Sequence, residues 1–423
     1  MANSNTLSSG KDQTVLFVCL MAMVFSLSPL AIDMYLPAMP TMATHFSSSM
    51  DAMEASVAVF LFGFALGQFF FGAISDSFDK SRIMMLGLMG FAIASFFVAK
   101  SDSTTELYLW RAVQAFSSGS SVVVYAMIQQ KYKPDADGGA ANSSKVISYI
   151  MSVVVIAPMV APMVGGQILK NFSWEMIFYV LSAYAIMAFV VIQLFQLGTQ
   201  KILPESVKSP LQISSLLKAY KHILSNVTTL SYIFAGGFSF AGLFAFVSGS
   251  PFVYMKYFNA TPDEFAGLVA LNAIAMIGMN LINAKVFGQM DPTKKLVFGG
   301  FLIFAVSIYL MVVAYLDLGL VYVVVGVVMY VGCLGLTASN AMAGALVSAK
   351  EYAGMLSGIN GVLQFGIGAA ASTLVSVSAS TSAMTMNSVM ALSGVFCFTF
   401  VLVLMKKPLL NLNNPVLSSA KEI

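Results

Sequence analysis

Two ionisable residues lie deep inside strongly apolar stretches of this sequence. Asp33 stands near the end of TVLFVCLMAMVFSLSPLAIDMYLPAM, and Arg111 lies within ELYLWRAVQAFSSGSSVVVYAMIQQ. A charged residue costs about 2.5–3.5 kcal/mol at the centre of a membrane helix, so each is expected to have a partner or a function. Burial favours the neutral acid of an aspartate, whereas a nearby arginine favours its carboxylate. Asp33 and Arg111 are therefore our candidates for proton coupling, with a structural ion pair that does not titrate as the alternative.

Polar residues continue along the helix face that carries Arg111, at spacings of three and four residues. Two later apolar segments carry similar polar stripes, and a third is rich in phenylalanine. Each stripe could also serve to bond neighbouring helices, and each aromatic residue could serve packing alone. We predict that a central substrate cavity is lined by Gln114, Ser118, Tyr125, Phe244, Asn272, Asn280 and Gln364.

Another set of residues is expected to bend or latch the helices. Pro158 and Pro162 each remove a backbone hydrogen bond from one apolar segment, and Gly165 and Gly166 allow another helix to approach it closely. Asp76, in the turn GAISDSFDKSR, is placed to accept hydrogen bonds from the N-terminus of a neighbouring helix. We predict that these five residues take part in conformational change. A static kink and a solvated turn are the alternatives.

The composition identifies the class of protein that holds these residues. Hydrophobic residues make up 58% of the 423 and charged residues 9%, whereas about 25% of a soluble globular chain is charged. The sequence predicts an all-α polytopic membrane protein, because helices satisfy their own backbone hydrogen bonds in lipid. Its three cysteines form no CxxC pair, its two histidines lie outside the apolar segments, and no enzyme motif lies within a segment. We therefore expect no catalytic residue, no metal site and no enzymatic activity.

Twelve segments approach or exceed the roughly 20 apolar residues that span a bilayer as a helix. The longest break between them predicts two six-helix bundles, residues 1–197 and 229–423, joined by a cytoplasmic linker, 198–228. The linker has the pattern of an amphipathic helix, which would lie on the membrane surface or pack on the protein. The predicted spans are 14–36, 52–74, 83–99, 105–130, 146–169, 175–197, 229–254, 265–286, 296–315, 319–347, 352–377 and 384–405.

Basic residues predict the orientation. If the N-terminus is cytoplasmic, Lys100, Lys170 and Lys256 face outward, Arg111 lies in a span, and the rest of the 21 basic residues fall in inner loops and tails. This bias is typical of a chain with both termini in the cytoplasm. It would place Asp33 and Arg111 at similar depths near the outer face, close enough for contact. Asp33 is the only carboxylate that we place within the bundle, so the coupling is expected to rest on it.

Six motifs together resemble the drug/proton antiporters of the major facilitator superfamily, most closely the Bcr/CflA drug-resistance family. This resemblance implies that Asp33 and Arg111 serve proton coupling, that Gln114 accompanies them, and that the proline and glycine residues belong to an antiporter motif. Asp76 takes the place of the family's loop aspartate, whereas Asp79 and Lys80 depart from the expected glycine and arginine. The motifs are AIDMYLPAMP (31–40), GQFFFGAISDSFDKSR (67–82), RAVQAFSSG (111–119), APMVAPMVGGQIL (157–169), SWEMIF (173–178) and SGSPFVY (248–254).

These features predict a proton-coupled antiporter of the cell inner membrane that exports small, hydrophobic or amphiphilic drugs from the cytoplasm by alternating access. Such a protein would confer antibiotic resistance. Its expected partners are the small-molecule substrate, protons and the lipid bilayer, without nucleic acid, and the chain is expected to be a monomer. The proton gradient would supply the energy in place of any cofactor. A dedicated exporter of one metabolite, such as a siderophore or an amino-acid derivative, is the alternative.

Overall fold

The computed structural model describes residues 4–75, 78–131, 157, 160–197, 221, 223–287, 290–348, 353–378 and 382–412. Within these ranges the chain is helical and has no β-strand. The predicted all-α polytopic membrane fold is confirmed. Most of the predicted linker, with its amphipathic helix, lies outside the described residues, so the division into domains stays a prediction.

The first half of the chain forms eight of the described helices and two 3₁₀ turns, Leu36–Ala38 and Gly119–Val122. The helices are α1 (Ser4–Asp33), α2 (Met39–His45), α3 (Met50–Ile74), α4 (Lys80–Val98), α5 (Thr104–Ser118), α6 (Val123–Lys131), α7 (160–171) and α8 (Glu175–Leu197).

The second half contains six long described helices and one π-helical segment, Pro251–Tyr257, which continues directly from α9. The helices are α9 (Val227–Ser250), α10 (Pro262–Lys285), α11 (Pro292–Tyr315), α12 (Leu320–Ser348), α13 (Ala353–Val377) and α14 (Met384–Leu412).

Ten helical stretches of the described residues are long and apolar enough to cross a membrane. The fourth predicted span is not among them, although it is helical from Thr104 to Lys131, because it is shared between α5, a 3₁₀ turn and α6 and carries many polar side chains. The fifth predicted span is described only at residue 157 and in α7. The difference between ten and twelve therefore arises from one polar span and one that lies mostly outside the description.

The first span ends differently from its predicted limits of 14–36. The helix α1 ends at Asp33, and the chain continues through a 3₁₀ turn into α2. Pro37 and Pro40 are each the second residue of one of these two elements, within the first turn, where the missing N–H is not needed. Asp33 is consequently the last residue of α1 and does not lie in its interior.

Capping side chains set the starts of several helices at the same end of the bundle. Ser49 accepts a hydrogen bond from the N–H of Ala52 at the start of α3. Ser103 accepts one from the N–H of Glu106 at the start of α5. Thr261 and Glu264 form a capping box at the start of α10. We call this the first-loop end, because it carries the connection between α2 and α3 (residues 46–49).

The helices pack into two groups that follow the two halves of the chain. In the first half, α3 and α4 contact α5, and α8 contacts α1 and α4. In the second half, α9 contacts α12, α13 and α14, while α12 also contacts α10 and α11. The groups meet mainly along α3 and α13. There the rings of Phe64 and Phe365 pack edge to face with centroids 4.6 Å apart.

Two further contacts join the halves at the first-loop end. The hydroxyl of Ser248 on α9 donates a hydrogen bond to the carbonyl oxygen of Glu54 on α3, at 3.2 Å. Lys170 on α7 forms an exposed ion pair with Asp263 on α10, at 3.5 Å. The two halves are therefore in contact at this end of the bundle.

Glycines allow α3 to approach α5 closely. A methyl group at Gly67 would lie 2.9 Å from the Cα of Phe116, and one at Gly63 would lie 2.8 Å from the carbonyl oxygen of Ala112. These are backbone atoms that cannot turn aside, so only glycine fits there. In a membrane no hydrophobic effect drives helices together. Close packing at small residues is therefore one of the interactions that hold them in contact. The position of Arg111, one residue before Ala112, depends on this contact.

We expect Gly67→Ala to lower the melting temperature of the purified protein, because α3 and α5 must separate to admit the methyl group. Overpacking of this kind costs about 1–3 kcal/mol. Gly72→Ala is the matched control on the same helix, since nothing lies within 4 Å of the added methyl. Thermal unfolding in detergent measures both variants, and equal shifts would contradict the close contact.

Candidate functional site

Arg111 is fully enclosed at the centre of the first bundle, with 0% of its surface exposed. Its Nη1 donates one hydrogen bond to the carbonyl oxygen of Ala31, at 2.9 Å, and another to Oε1 of Gln114, at 2.8 Å. The carbonyl of Ala31 belongs to the last turn of α1, where the helix dipole is negative. The guanidinium therefore caps the end of α1.

Three aromatic rings surround the same guanidinium. Its carbon lies 4.3 Å from the ring centroid of Tyr35, 4.4 Å from that of Phe60 and 5.9 Å from that of Phe178. A cation over an aromatic face gains about 0.5–2 kcal/mol, with the larger values at sites without water. The rings come from the segment after α1, from α3 and from α8. Together with the carbonyl of Ala31 on α1, four parts of the first bundle therefore meet at one charge.

Hydrogen bonds fix the neighbours of Arg111 in turn. The amide nitrogen of Gln114 donates to the hydroxyl of Ser95 on α4, at 2.8 Å, and the hydroxyl of Tyr35 lies 2.8 Å from that of Ser56 on α3. Gln114 is fully buried, and its predicted place beside Arg111 agrees with these distances. The network orients the amide so that its oxygen faces the arginine.

The guanidinium retains unused donors. Its Nε and Nη2 are buried and have no hydrogen-bond partner among the described residues. Buried donors normally find an acceptor, because an unsatisfied one costs about 1–3 kcal/mol. The guanidinium can therefore donate to a further acceptor, such as a carboxylate, without losing an existing hydrogen bond.

The direct ion pair between Asp33 and Arg111 that the sequence predicts is absent. Both residues are described and buried, but no nitrogen of Arg111 lies within 4.0 Å of a carboxylate oxygen of Asp33. The prediction of contact was wrong for this conformation, because the arginine reaches the carbonyl of Ala31, two residues before Asp33. The expected role of Asp33 in proton coupling is not tested by this geometry.

The proline and glycine segment lies against the same end of α1. Pro162 is buried in α7, and a methyl group at Gly165 would collide with the carbonyl oxygen of Met34, the residue after Asp33. Gly166 is less constrained, with the carbonyl oxygen of Pro262 3.8 Å from an added methyl. Asp76 and Pro158 lie outside the described residues, so their predicted roles stay predictions.

The polar stripe beyond Gln114 is not a continuous helix face. A 3₁₀ turn, Gly119–Val122, interrupts it. Ser118 is buried, and its hydroxyl donates to the carbonyl oxygen of Ala115 within its own helix, at 2.8 Å. Tyr125 lies in α6, but its side chain is outside the description. The 3.6-residue spacing used for the prediction does not hold across this turn.

The predicted cavity residues of the second half have different surroundings. Asn272 is buried, and both its amide atoms lack a partner among the described residues. Asn280 is partly buried, while Gln364 accepts a hydrogen bond from Asn360, at 3.3 Å. Phe244 packs on Phe365 between the halves, with centroids 5.4 Å apart. A common cavity for these residues stays a prediction.

A second carboxylate, which was not predicted, lies within the bundle. Glu54 has 0% of its surface exposed, and neither carboxylate oxygen has a hydrogen-bond partner in the described part of the chain. The expectation that Asp33 is the only such acid was therefore wrong. Glu54 falls inside the predicted second span, and an acid within an apolar segment was the signal that could have identified it.

Comparison with known proteins gives the family. The model of the Major Facilitator Superfamily matches residues 21–373. A "Bicyclomycin resistance protein homolog" of Haemophilus influenzae is 30% identical over 370 residues, which cover 86% of this chain and 90% of that protein. The chain belongs to the major facilitator superfamily, in its Bcr/CflA drug-resistance family. It is a transporter of this superfamily and a multi-pass membrane protein.

Other relatives of this major facilitator chain are similar over most of their length. "Uncharacterized MFS-type transporter YdgK" of Bacillus subtilis is 29% identical over 389 residues, 92% of this chain and 94% of that protein. "Multidrug resistance protein MdtL" of Escherichia coli is 27% identical over 297 residues, 70% of this chain and 72% of that protein. These similarities agree with the resemblance seen in the motifs.

Solved structures show the same fold. A D-xylose-proton symporter matches with a TM-score of 0.68 over 92% of this chain and 96% of its own, at 14% identity. A bacterial homolog of the human lysosomal transporter Spinster matches with a TM-score of 0.66 over 93% and 95%, also at 14% identity. At this identity the likeness concerns the fold alone.

We expect Arg111→Lys to destabilise this major facilitator protein by about 2 kcal/mol or more. A lysine keeps the charge but loses the planar guanidinium that bonds Ala31 and Gln114 and lies against the rings. Arg82→Lys is the matched control, because Arg82 is 82% exposed and its ion pair with Asp79 is long, at 3.9 Å. Melting temperatures of the two purified variants measure the difference, and an unchanged value for Arg111→Lys would contradict the site.

We also expect Gly165→Ala to reduce both stability and transport, since the methyl group must push α7 away from the end of α1. Gly166→Ala should have little effect, because the added methyl makes only an ordinary contact. Melting temperature and dye efflux from cells that express each variant measure the two effects. Similar losses for both variants would show that the close contact is not specific to Gly165.

Proposed function

We propose that this chain is a proton-driven antiporter that exports small hydrophobic or amphiphilic drugs from the cytoplasm by alternating access. The observation that carries the proposal is the buried Arg111, held at the end of the helix that carries Asp33. A charge of this kind within a membrane helix is costly and is usually functional. The family adds the substrate class, because its relatives include a bicyclomycin-resistance homolog and a multidrug-resistance protein.

The arginine gives the proposed coupling a physical basis. While Asp33 is protonated, Arg111 bonds to the carbonyl of Ala31, as in this structure. When Asp33 loses its proton, its carboxylate becomes a stronger acceptor than a neutral carbonyl, and the unused Nε and Nη2 donors are available to it. The change would shift the end of α1 relative to α5. Protonation is thereby linked to a movement of the first bundle.

The movement would reach α7 through Gly165, which touches the residue after Asp33. The helix α7 also meets the second half at the ion pair between Lys170 and Asp263. A shift at the end of α1 is therefore transmitted to a contact between the halves. This is the link that alternating access requires between a proton site and the closure of one side.

The proposed orientation follows from the distribution of lysine and arginine. The first-loop end would face the outside, both termini would be cytoplasmic, and the chain would act as a monomer in the inner membrane. Protons would enter from the first-loop side while the drug leaves by the same side. No nucleic acid and no cofactor take part in this cycle.

Aromatic side chains at the meeting of the halves support an apolar or amphiphilic substrate. Phe64, Phe244 and Phe365 form a continuous aromatic contact between α3, α9 and α13. Rings of this kind offer broad apolar surfaces that suit guests of varied shape. The buried amide of Asn272, which has no partner among the described residues, offers a polar contact to a substrate.

We expect Asp33→Asn to abolish uphill drug transport while the protein stays folded, because asparagine cannot release a proton. The measurement is ethidium and bicyclomycin transport in proteoliposomes with an imposed pH gradient, with and without a protonophore. Asp102→Asn, which removes an exposed acid in a loop of the first-loop end, is the matched control and should keep full activity. Uphill transport by Asp33→Asn at the wild-type rate would contradict the proposal.

A further inference from the structure

Glu54 is a buried acid that has no role in the proposed coupling between Asp33 and Arg111. It lies in the second turn of α3 at the first-loop end, with 0% exposure and two carboxylate oxygens that lack hydrogen-bond partners among the described residues. A structural glutamate in such a position would be expected to hold an arginine, a lysine or backbone N–H groups. The absence of all three at this residue requires another explanation.

The side chain lies on the face of α3 that meets the second half of the chain. Glu54 shares a helical stripe with Leu61 and Gln68, and the side-chain oxygen of Gln68 is the atom that a methyl at Gly361 of α13 would strike. The carbonyl of Glu54 itself accepts the hydrogen bond from Ser248 on α9. The carboxylate is therefore enclosed where the two halves close over each other.

Two charges act on this carboxylate. Asp51, three residues earlier on α3, repels a negative charge, and Lys256 on the π-helical segment attracts it. Lys256 does not reach ion-pair distance and instead lies with its Nζ 5.7 Å from the ring centroid of Phe252. The helix α13 has no ionisable residue. The elements that contact α3 carry other ionisable groups, but none of them has a comparable effect on Glu54. These groups are His45, Glu106, Tyr108, Arg111 and Tyr232.

The energetics favour one protonation state for this enclosure. An ionised carboxylate without a hydrogen bond or counter-ion has nothing to replace its lost hydration, which costs several kcal/mol. The neutral acid costs far less. Closure of the halves over Glu54 is therefore favourable only when the acid carries a proton, and separation of the halves would expose the acid to water, where it ionises.

We propose that Glu54 is a second proton-binding site of this transporter, which takes its proton from the side of the membrane that the first-loop end faces and is enclosed as the neutral acid whenever the halves close there. The inference rests on the proposed function, because it adds a proton site to the same transport cycle. The site differs from Asp33 in its place: it lies between the halves, whereas the end of α1 lies within the first bundle.

The end of α9, which bonds to Glu54 through Ser248, continues into an irregular segment. The helix α9 passes directly into the π-helical segment Pro251–Tyr257, which also contacts α2. Just before this segment, Ser250 is fully buried, and its hydroxyl has no partner among the described residues. Segments with π-helical hydrogen bonds are often found at functional sites. The second half therefore combines an irregular backbone with an unsatisfied hydroxyl close to its contact with Glu54, as expected of a contact that opens and closes.

The first experiment measures the proton itself and does not depend on transport. Infrared spectra of the reconstituted full-length protein should show carbonyl absorption of protonated carboxylic acids, and Glu54→Gln should lose one component of it while the component of Asp33 remains. Asp51→Asn, three residues away on the same helix, should keep both components. A wild-type spectrum that does not differ from that of Glu54→Gln in this region would overturn the proposal.

The second experiment measures the consequence for transport. In right-side-out membrane vesicles, the outer pH is varied at a fixed inner pH while ethidium exchange is followed. The wild-type rate should fall about tenfold per pH unit once the acid is mostly ionised, whereas Glu54→Gln should lose this fall and keep only the dependence on outer pH that Asp33 contributes. Asp51→Asn should follow the wild type, and the same pH profile in Glu54→Gln as in the wild type would also overturn the proposal.

Two controls separate the possible failures. Glu54→Met, a second neutral side chain of similar length, should show the same loss of pH dependence, and melting temperatures identify a variant that has not folded. If wild-type vesicles show no proton-driven transport, the proposed function fails, while the infrared component of Glu54 still decides whether Glu54 binds a proton. If that component is absent but transport is proton-driven, the proposal for Glu54 fails alone.

Discussion

The first bundle depends on one guanidinium that has no contact with water. Arg111 binds the last turn of α1, the amide of Gln114 and the rings of Tyr35 and Phe60. A buried charge with these partners is stable, whereas the same charge without them would cost several kcal/mol. The segment after α1, α3, α5 and α8 are consequently held in one arrangement around it. Any conformational change in this bundle has to offer the guanidinium an alternative set of partners.

Much of the fold could be predicted because it follows from apolar length and from helical spacing. The long apolar helices follow from the first, and the place of Gln114 beside Arg111, three residues further along the helix, follows from the second. The partner of Arg111 could not be predicted in the same way. Every residue carries a carbonyl oxygen, so no sequence pattern shows that the one at Ala31 is used. The end of α1 at Asp33 was also missed, although Pro37 and Pro40 indicate that the helix cannot continue unchanged.

Other features of the site depend on how helices rotate and meet, which sequence does not give. The polar stripe after Arg111 was predicted with a constant helical period, but the 3₁₀ turn Gly119–Val122 changes the direction of its later members. Asn283 lies on the same helix as Asn272 and Asn280, and its amide donates hydrogen bonds to α12, to the carbonyl of Gly335 and the hydroxyl of Ser339. Glu54 was overlooked because one acid near the start of a span is common. Only its enclosure by the second half makes it unusual.

The contacts that join the two halves differ in character from those within each half. The exposed ion pair of Lys170 and Asp263 belongs to a class that contributes about 0–1 kcal/mol. The hydrogen bond from Ser248 is a single one, and the rings of Phe64 and Phe365 pack edge to face. Within the first half, by contrast, α3 and α5 touch through backbone atoms at glycines. The halves thus meet through side chains along α3 and α13, without the close backbone contacts that join α3 to α5.

The polarity of the segment from Thr104 to Lys131 has a consequence for biogenesis. It is helical, but it is not among the described stretches apolar enough to cross a membrane by themselves. An arginine near the middle of a single inserted helix adds about 2.5–3.5 kcal/mol to the free energy of insertion. The segment should therefore leave the translocon together with α3 and α4, which already provide Phe60 and Ser95. Ala31, Tyr35 and Phe60 precede Arg111 in the chain, so these partners would be available before it emerges.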